Sequence, residues 1–505
     1  MRLVPFLIAA FLLINPLLDW IFQKLQRQTE KLQFWVMLTS GTAWILGLVF
    51  YFLKPDFRLD PVWKAGAELL PGLAFSWDWI SAGLILSVAG LVFVYTLTRG
   101  DEPSSNAWLA GVGGVCVIGL GANSPYTLGL IWTILEGFHF FSSRDSRVDS
   151  RPREYLPALL LRITTPGVLI LLSLIRVGAG SSSSISDLGP NSGMVLILAG
   201  LIGFSGWFLQ PQNQEQPDMV PERWVPAALG LMLIIRGGEV ASVGSPQLAF
   251  PLFLSLLLVM IVLIGLLVDQ LESTWYLASG LLAGISGFIS GPETALSWVA
   301  VMMLPGLQIW RWRNHPRASL IPLILAGIGV LPIPFFPTWA GVSASGKGIP
   351  GYLLGLSYGL LLGGGLISVL SRWGSDQEID DYSPLLGIIG AGAILVSQVV
   401  IAFRLDLISA SRNLLAKPAG IWISLLGLVP VLLLGNHLPL KKGESWAALG
   451  AGLKKRLGNI LVGIVHFLDR LVGLISRLFE GQAGLVWALL IGLLIITLIS
   501  LRGGG

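Results

Sequence analysis

Four charged side chains stand inside long apolar runs of this 505-residue sequence, and they are where chemistry is first to be sought. Glu136 follows Leu130-Ile131-Trp132-Thr133-Ile134-Leu135, Arg162 lies deep in the next apolar stretch, and Arg236 and Glu239 fall three residues apart on one face of a third. An ionised side chain near the centre of a bilayer costs at least about 2.5 to 3.5 kcal/mol on insertion scales, so each of these needs an internal partner or a wet cavity. Glu136 is the strongest candidate for carrying a proton or an ion. The alternative is a carboxyl that is protonated, or paired with Arg162 or Arg236, for structure alone. For Arg236 and Glu239 the corresponding alternative is a local i,i+3 pair.

Other chemistries find little support. There is no phosphate-cradling Walker A loop, no G-x-G-x-x-G opening a helix, no Cys-x-x-Cys and no pair of histidines at metal-binding spacing, so neither a cofactor nor a metal is expected. His139, His315, His437 and His466 are scattered, and only His139, three residues after Glu136, is of interest; a lone membrane histidine is more often a structural hydrogen-bonder. Cys116 sits alone in an apolar run and reads as a small core residue. The net charge of +4 is modest, and the basic residues cluster in loops beside apolar runs. They read as topology signals rather than as a nucleic-acid footprint, and the expected surroundings are the lipid bilayer.

The elements that position these charges must be membrane-spanning helices. Of the residues, 54% are hydrophobic and 12% charged. The mean hydropathy is +0.78. Apolar runs of about 20 residues, the length needed to cross about 30 Å of hydrocarbon, recur throughout. The spans read as 3–22, 33–53, 77–98, 107–121, 124–142, 155–177, 191–209, 224–243, 248–268, 273–290, 293–310, 318–340, 351–371, 383–403, 418–435 and 483–501. If the fourth and fifth form one kinked unit, the total is roughly fourteen to sixteen. The first is read as retained, since no small-residue cleavage site follows it and Asp19, Trp20 and Lys24 end it. Pro332, Pro334 and Pro337 break the twelfth, and breaks at membrane depth are tolerated where they line a cavity or pack on other helices.

Lysine and arginine fall mainly on one side of these spans, for example Lys24, Arg27, Lys31, Arg144, Arg147, Arg151, Arg311, Arg313, Lys441 and Lys442. That side is cytoplasmic by the positive-inside rule, which places both termini outside. Trp20, Trp77, Trp79, Trp310 and Trp312 are read as interfacial anchors. From Trp446 to Glu480 the pattern is amphipathic, which points to a helix lying along the interface before the last span.

Laid end to end, these segments resemble the antiporter-like, proton-conducting membrane subunits of NADH:quinone oxidoreductases and of multisubunit sodium/proton antiporters. "LAFSWDWISAGLILSVAGLVFVYTL" is similar to the family's third span, with Asp78 opening the helix, and "GANSPYTLGLIWTILEGFHFF" to the fifth, with Glu136 as its buried glutamate. "REYLPALLLRITTPGVLILLSLIRVG", "PERWVPAALGLMLIIRGGEVAS", "LESTWYLASGLLAGISG" and "LAGIGVLPIPFFPTWAG" fit the sixth, eighth, tenth and broken twelfth. The resemblance implies an all-α bundle of 14–16 spans with inverted five-helix repeats and a short lateral helix near the C-terminus. Its parts would be a three-span segment over 1–106, repeats over 107–243 and 244–371, two further spans over 372–435, and the lateral helix with a final span over 436–505. It also implies other membrane subunits as partners and a prokaryotic plasma membrane as the location.

Departures from the family pattern bear on function. The seventh span, "AGLIGFSGWFLQPQ", lacks the family's lysine; Arg236 stands for the eighth-span lysine or histidine; and the twelfth-span charge is missing unless Lys347 substitutes. Arginine keeps its charge and cannot cycle a proton as lysine does. The favoured expectation is a subunit of an ion-translocating redox or antiport complex that has kept the fold while its relay is broken. The other reading is a polytopic enzyme or flippase acting on lipid-linked glycans. The loops at 54–76 and 177–192 carry scattered charges and no histidine, which disfavours it.

Overall fold

The computed structural model describes residues 3–24, 29–53, 55–59, 73–98, 103–143, 152–178, 184–208, 220–242, 249–268, 271–300, 306, 320–333, 336–343, 348–371, 384–404 and 419–434. These form a bundle of α-helices: α1 (Val4–Lys24), α2 (Thr29–Phe52), α3 (Trp79–Thr98), α4 (Pro103–Gly119), α5 (Pro125–Ser143), α6 (Pro152–Gly178), α7 (Pro190–Phe208) and α8 (Val220–Ser242). There follow α9 (Ala249–Val268), α10 (Leu271–Ser290), α11 (292–300), α12 (Leu320–Val330), α13 (Pro337–Ser343), α14 (Gly348–Ser371), α15 (Pro384–Arg404) and α16 (Ala419–Leu434). Nine of the helices among the described residues are long and apolar enough to cross a membrane. The chain is an all-α, multi-pass membrane bundle. Lys347 and the amphipathic segment with its final span lie outside the described residues.

Burial sorts the helices into an axis and a periphery. α3 and α8 are buried along nearly their whole length. On α9, Phe253, Leu256, Met260 and Leu263 form an exposed stripe at helical spacing, while Leu254, Leu258, Val262 and Leu266 are buried. Both stripes are equally apolar, which suits a helix with protein on one side and lipid on the other. Small residues let backbones meet: a Cβ at Gly200 of α7 would lie 2.7 Å from the Gly230 carbonyl oxygen of α8, and one at Gly237 of α8 would lie 2.7 Å from that of Gly193. Polar side chains tie the N-terminal helices together, Thr39 donating to Asn15 at 2.7 Å and Asn106 to Gln33 at 2.9 Å.

One end of the bundle carries a small cap. Strands β1 (Phe57–Leu59) and β2 (Phe75–Trp77) pair antiparallel. Ser76 N–H donates to the Gly121 carbonyl at 2.7 Å, Asn123 N–H to Ala74 at 2.9 Å, and Ile185 N–H to Asn123 at 2.9 Å. The three loops that the span alternation assigns to one face thus meet at one end. The fourth and fifth spans are two separate helices, as the span pattern has them, parted by a turn whose Ala122 bridges to Phe75. One expectation is corrected here. Trp77 is no interfacial anchor: it is fully buried, stacked on Phe57 and Phe75 with Phe6 at its edge, and seated on Gly121 where any Cβ would collide with it. Trp20, in contrast, is exposed as an anchor should be.

Candidate functional site

The charged side chains assemble into two clusters at different depths. Glu136 lies eleven residues into α5, about 16 Å along it, and Arg162 ten residues into α6, about 15 Å along it in the opposite sense. Antiparallel neighbours of that length bring the two to one level. The Arg162 Nε is 3.4 Å from Glu136 Oε2, and the two side chains are only 7% and 12% exposed. The expected pairing of Glu136 with Arg162 or Arg236 therefore resolves to Arg162. The contact is ionic without hydrogen-bond geometry, since Glu136 Oε1 and Arg162 Nε and Nη1 have no hydrogen-bond partner.

Trp207 completes this cluster from α7. The Arg162 guanidinium lies over its ring at 4.3 Å, and the His139 ring meets it edge-on at 5.0 Å. A guanidinium on an indole face in a desolvated setting gains about 2 kcal/mol or more, which offsets part of the cost of burying it. Thr165, one turn beyond Arg162, donates to the Ala199 carbonyl at 3.0 Å and so fixes α6 against α7. Trp207 was not singled out in the sequence, where one more tryptophan at the end of an apolar run gives no sign that it faces a cation.

The second cluster sits near the capped end, with Arg236 six residues, about 9 Å, before the end of α8. Its Nη2 donates to Asp78 Oδ2 at 2.6 Å and its Nη1 to Glu239 Oε2 at 3.0 Å. Arg236 and Asp78 are largely buried, whereas the Glu239 side chain is 44% exposed. Asp78 has a second duty, because its Oδ1 accepts the Ser81 N–H at 3.0 Å and caps α3. The local Arg236–Glu239 pair is thus present, but the shorter and more buried contact is to Asp78, on a helix whose sequence position is far removed.

Among the described residues of the later helices the buried polar groups are neutral. The Pro-rich interruption between α12 and α13 frees backbone carbonyls, and those of Gly329, Val330 and Leu331 find side-chain donors. Gln398 Nε2 of α15 donates to Gly329 at 3.1 Å and also to Ala300 of α11 at 3.2 Å. Tyr358 of α14 donates to the Val330 carbonyl, and Thr338 of α13 to Leu331 at 2.7 Å. Gln398 is fully buried, and Gly329 is required beside it because a Cβ there would run into the amide. Among the described residues from 249 to 434 the carboxylates are Glu272 and Glu293, both at the starts of helices rather than at depth. No group of acidic, histidine or cysteine side chains suited to a metal ion occurs among the described residues.

No protein-family model and no curated protein sequence matches the chain. Its fold is nevertheless shared with solved membrane assemblies. A chain of the Mrp complex from Dietzia sp. DQ12-45-1b superposes with a TM-score of 0.61 at 12% identity, covering all of this chain and 63% of that one, so this chain spans less than two thirds of that relative's length. A chain of respiratory complex I from Thermus thermophilus gives 0.58 at 14% identity, covering 85% of this chain and 99% of that one. A chain of the membrane-bound sulfane sulfur reductase, an archaeal respiratory membrane complex, gives 0.58 at 14%, covering 97% and 99%. The chain shares its fold with membrane chains of these three assemblies.

Proposed function

We propose that the chain is a membrane subunit of a proton-translocating redox or antiport complex, and that it serves mainly as a structural member because its own proton relay is interrupted. The observation that carries this reading is the contrast along the bundle: buried ion pairs at Glu136–Arg162 and Asp78–Arg236, then, among the described residues, an amide and hydroxyls around the broken helices. Amides do not titrate in the physiological range and arginine does not release its proton, so these groups hold the fold without passing protons on. The two repeats, over 107–243 and 244–371, are proposed to be related by a half-turn about an axis in the membrane plane.

The chain would lie in a prokaryotic plasma membrane with both termini outside, surrounded by lipid and by sister subunits, with no nucleic acid and no cofactor of its own. Isolation from native membranes in mild detergent is expected to yield one assembly containing further membrane subunits and carrying redox or antiport activity. Recovery of the chain alone, with glycan-transfer activity, would contradict the reading. A cysteine introduced at Ser146 should resist labelling from outside the cell, and ready labelling there would invert the topology.

A further inference from the structure

Resting on that reading, we propose that Arg162 is the fixed counter-ion that stops Glu136 from exchanging protons, a lock built by α6 and α7 together. The geometry leaves little room for another arrangement. Arg162 is held from three directions: by the Glu136 carboxylate at 3.4 Å, by the Trp207 face at 4.3 Å, and through its own helix by the Thr165 bond to Ala199. On α7, one turn before Trp207, Gly203 admits no side chain, since a Cβ would lie 2.6 Å from Trp132 and 2.7 Å from the Thr165 hydroxyl. The cation of this box is therefore supplied by α6, and α7 contributes a ring.

Among the described residues, the other titratable or charged groups around Glu136 are His139 on its own helix, packed edge-on against Trp207, and Arg223 of α8, within electrostatic range of His139. Neither replaces Arg162 at the carboxylate. A lysine in the same place would exert a similar charge but can give up its proton when buried, whereas a guanidinium stays charged and planar against the indole. Arg162 is thus a positioning residue whose chemistry, and not merely its charge, decides the state of Glu136.

The test reads the carboxyl itself. Infrared difference spectra after a pH jump across the neutral range are recorded on the full chain in lipid. In the wild type no carboxyl C=O band assignable to Glu136 should titrate, so wild type and Glu136→Gln should give the same carboxyl region. Arg162→Lys should produce a titrating band that is lost in the Arg162→Lys/Glu136→Gln double variant. Arg162→Gln should leave a neutral carboxyl band at every pH. A titrating band in the wild type that Glu136→Gln removes would overturn the proposal, as would the absence of any such band in folded Arg162→Lys. The comparison of wild type with Glu136→Gln stands even if both Arg162 variants fail to fold. Because it does not measure transport, a failure here is distinct from a failure of the interrupted-relay reading, which proton flux decides.

Discussion

The helices from α4 to α8 and those from α11 to α15 face the same problem, buried polarity in a membrane, and solve it differently. In the first set, side-chain charges are neutralised in pairs: Glu136 with Arg162 at depth, and Asp78 of α3 with Arg236 near one end. In the second set the backbone creates the demand, because a proline-bearing interruption frees carbonyls, and Gln398, Tyr358 and Thr338 meet it with neutral donors. Charged pairs are costly to break from one side, since the partner is left as an uncompensated charge. A neutral clasp leaves behind only an unsatisfied carbonyl.

That difference orders the expected effects of mutation. Arg162→Leu should be the most damaging, removing about 3 to 5 kcal/mol as Glu136 is left buried and unpaired, and thermal unfolding in detergent measures it. Restoration of stability by the added change Glu136→Leu would confirm that the loss comes from the stranded carboxyl, which is buried without its partner. Arg236→Leu should cost about 1.5 to 3 kcal/mol, the usual worth of hydrogen bonds to a charged group, through loss of the Asp78 bond. Gln398→Leu should cost about 1 to 3 kcal/mol by the desolvation of the Gly329 and Ala300 carbonyls, read as faster hydrogen exchange around 329–333. A larger loss at Gln398 than at Arg162 would reverse the ranking and remove the distinction between the two sets.

Much of this was legible in the sequence, for physical reasons that can be named. The span pattern follows from bilayer thickness, and the interruption after α12 from the closely spaced Pro332 and Pro337, which withhold backbone donors from the helix. Glu136 is legible as a carboxylate in need of a buried arginine, but the sequence leaves Arg162 and Arg236 both open, and the structure selects Arg162. The Asp78–Arg236 bond was not legible. Asp78 looks like a helix cap and is one, but nothing local shows that its second oxygen reaches a residue 158 positions away. Trp77 was misread because tryptophan beside a span end usually marks the interface; here the cap formed by β1, β2 and the turn at Gly121 encloses it. Gln398 was missed because a single amide in an apolar run gives no sign of which broken helix it serves.

The central claim, that the relay is interrupted and the chain mainly structural, is tested most directly by proton flux into liposomes holding the purified protein, with Glu136→Gln as control. The expected result is flux at the level of empty liposomes for both proteins. Robust flux in the wild type, abolished by Glu136→Gln, would show that protons pass through Glu136 despite its arginine partner and would contradict the claim.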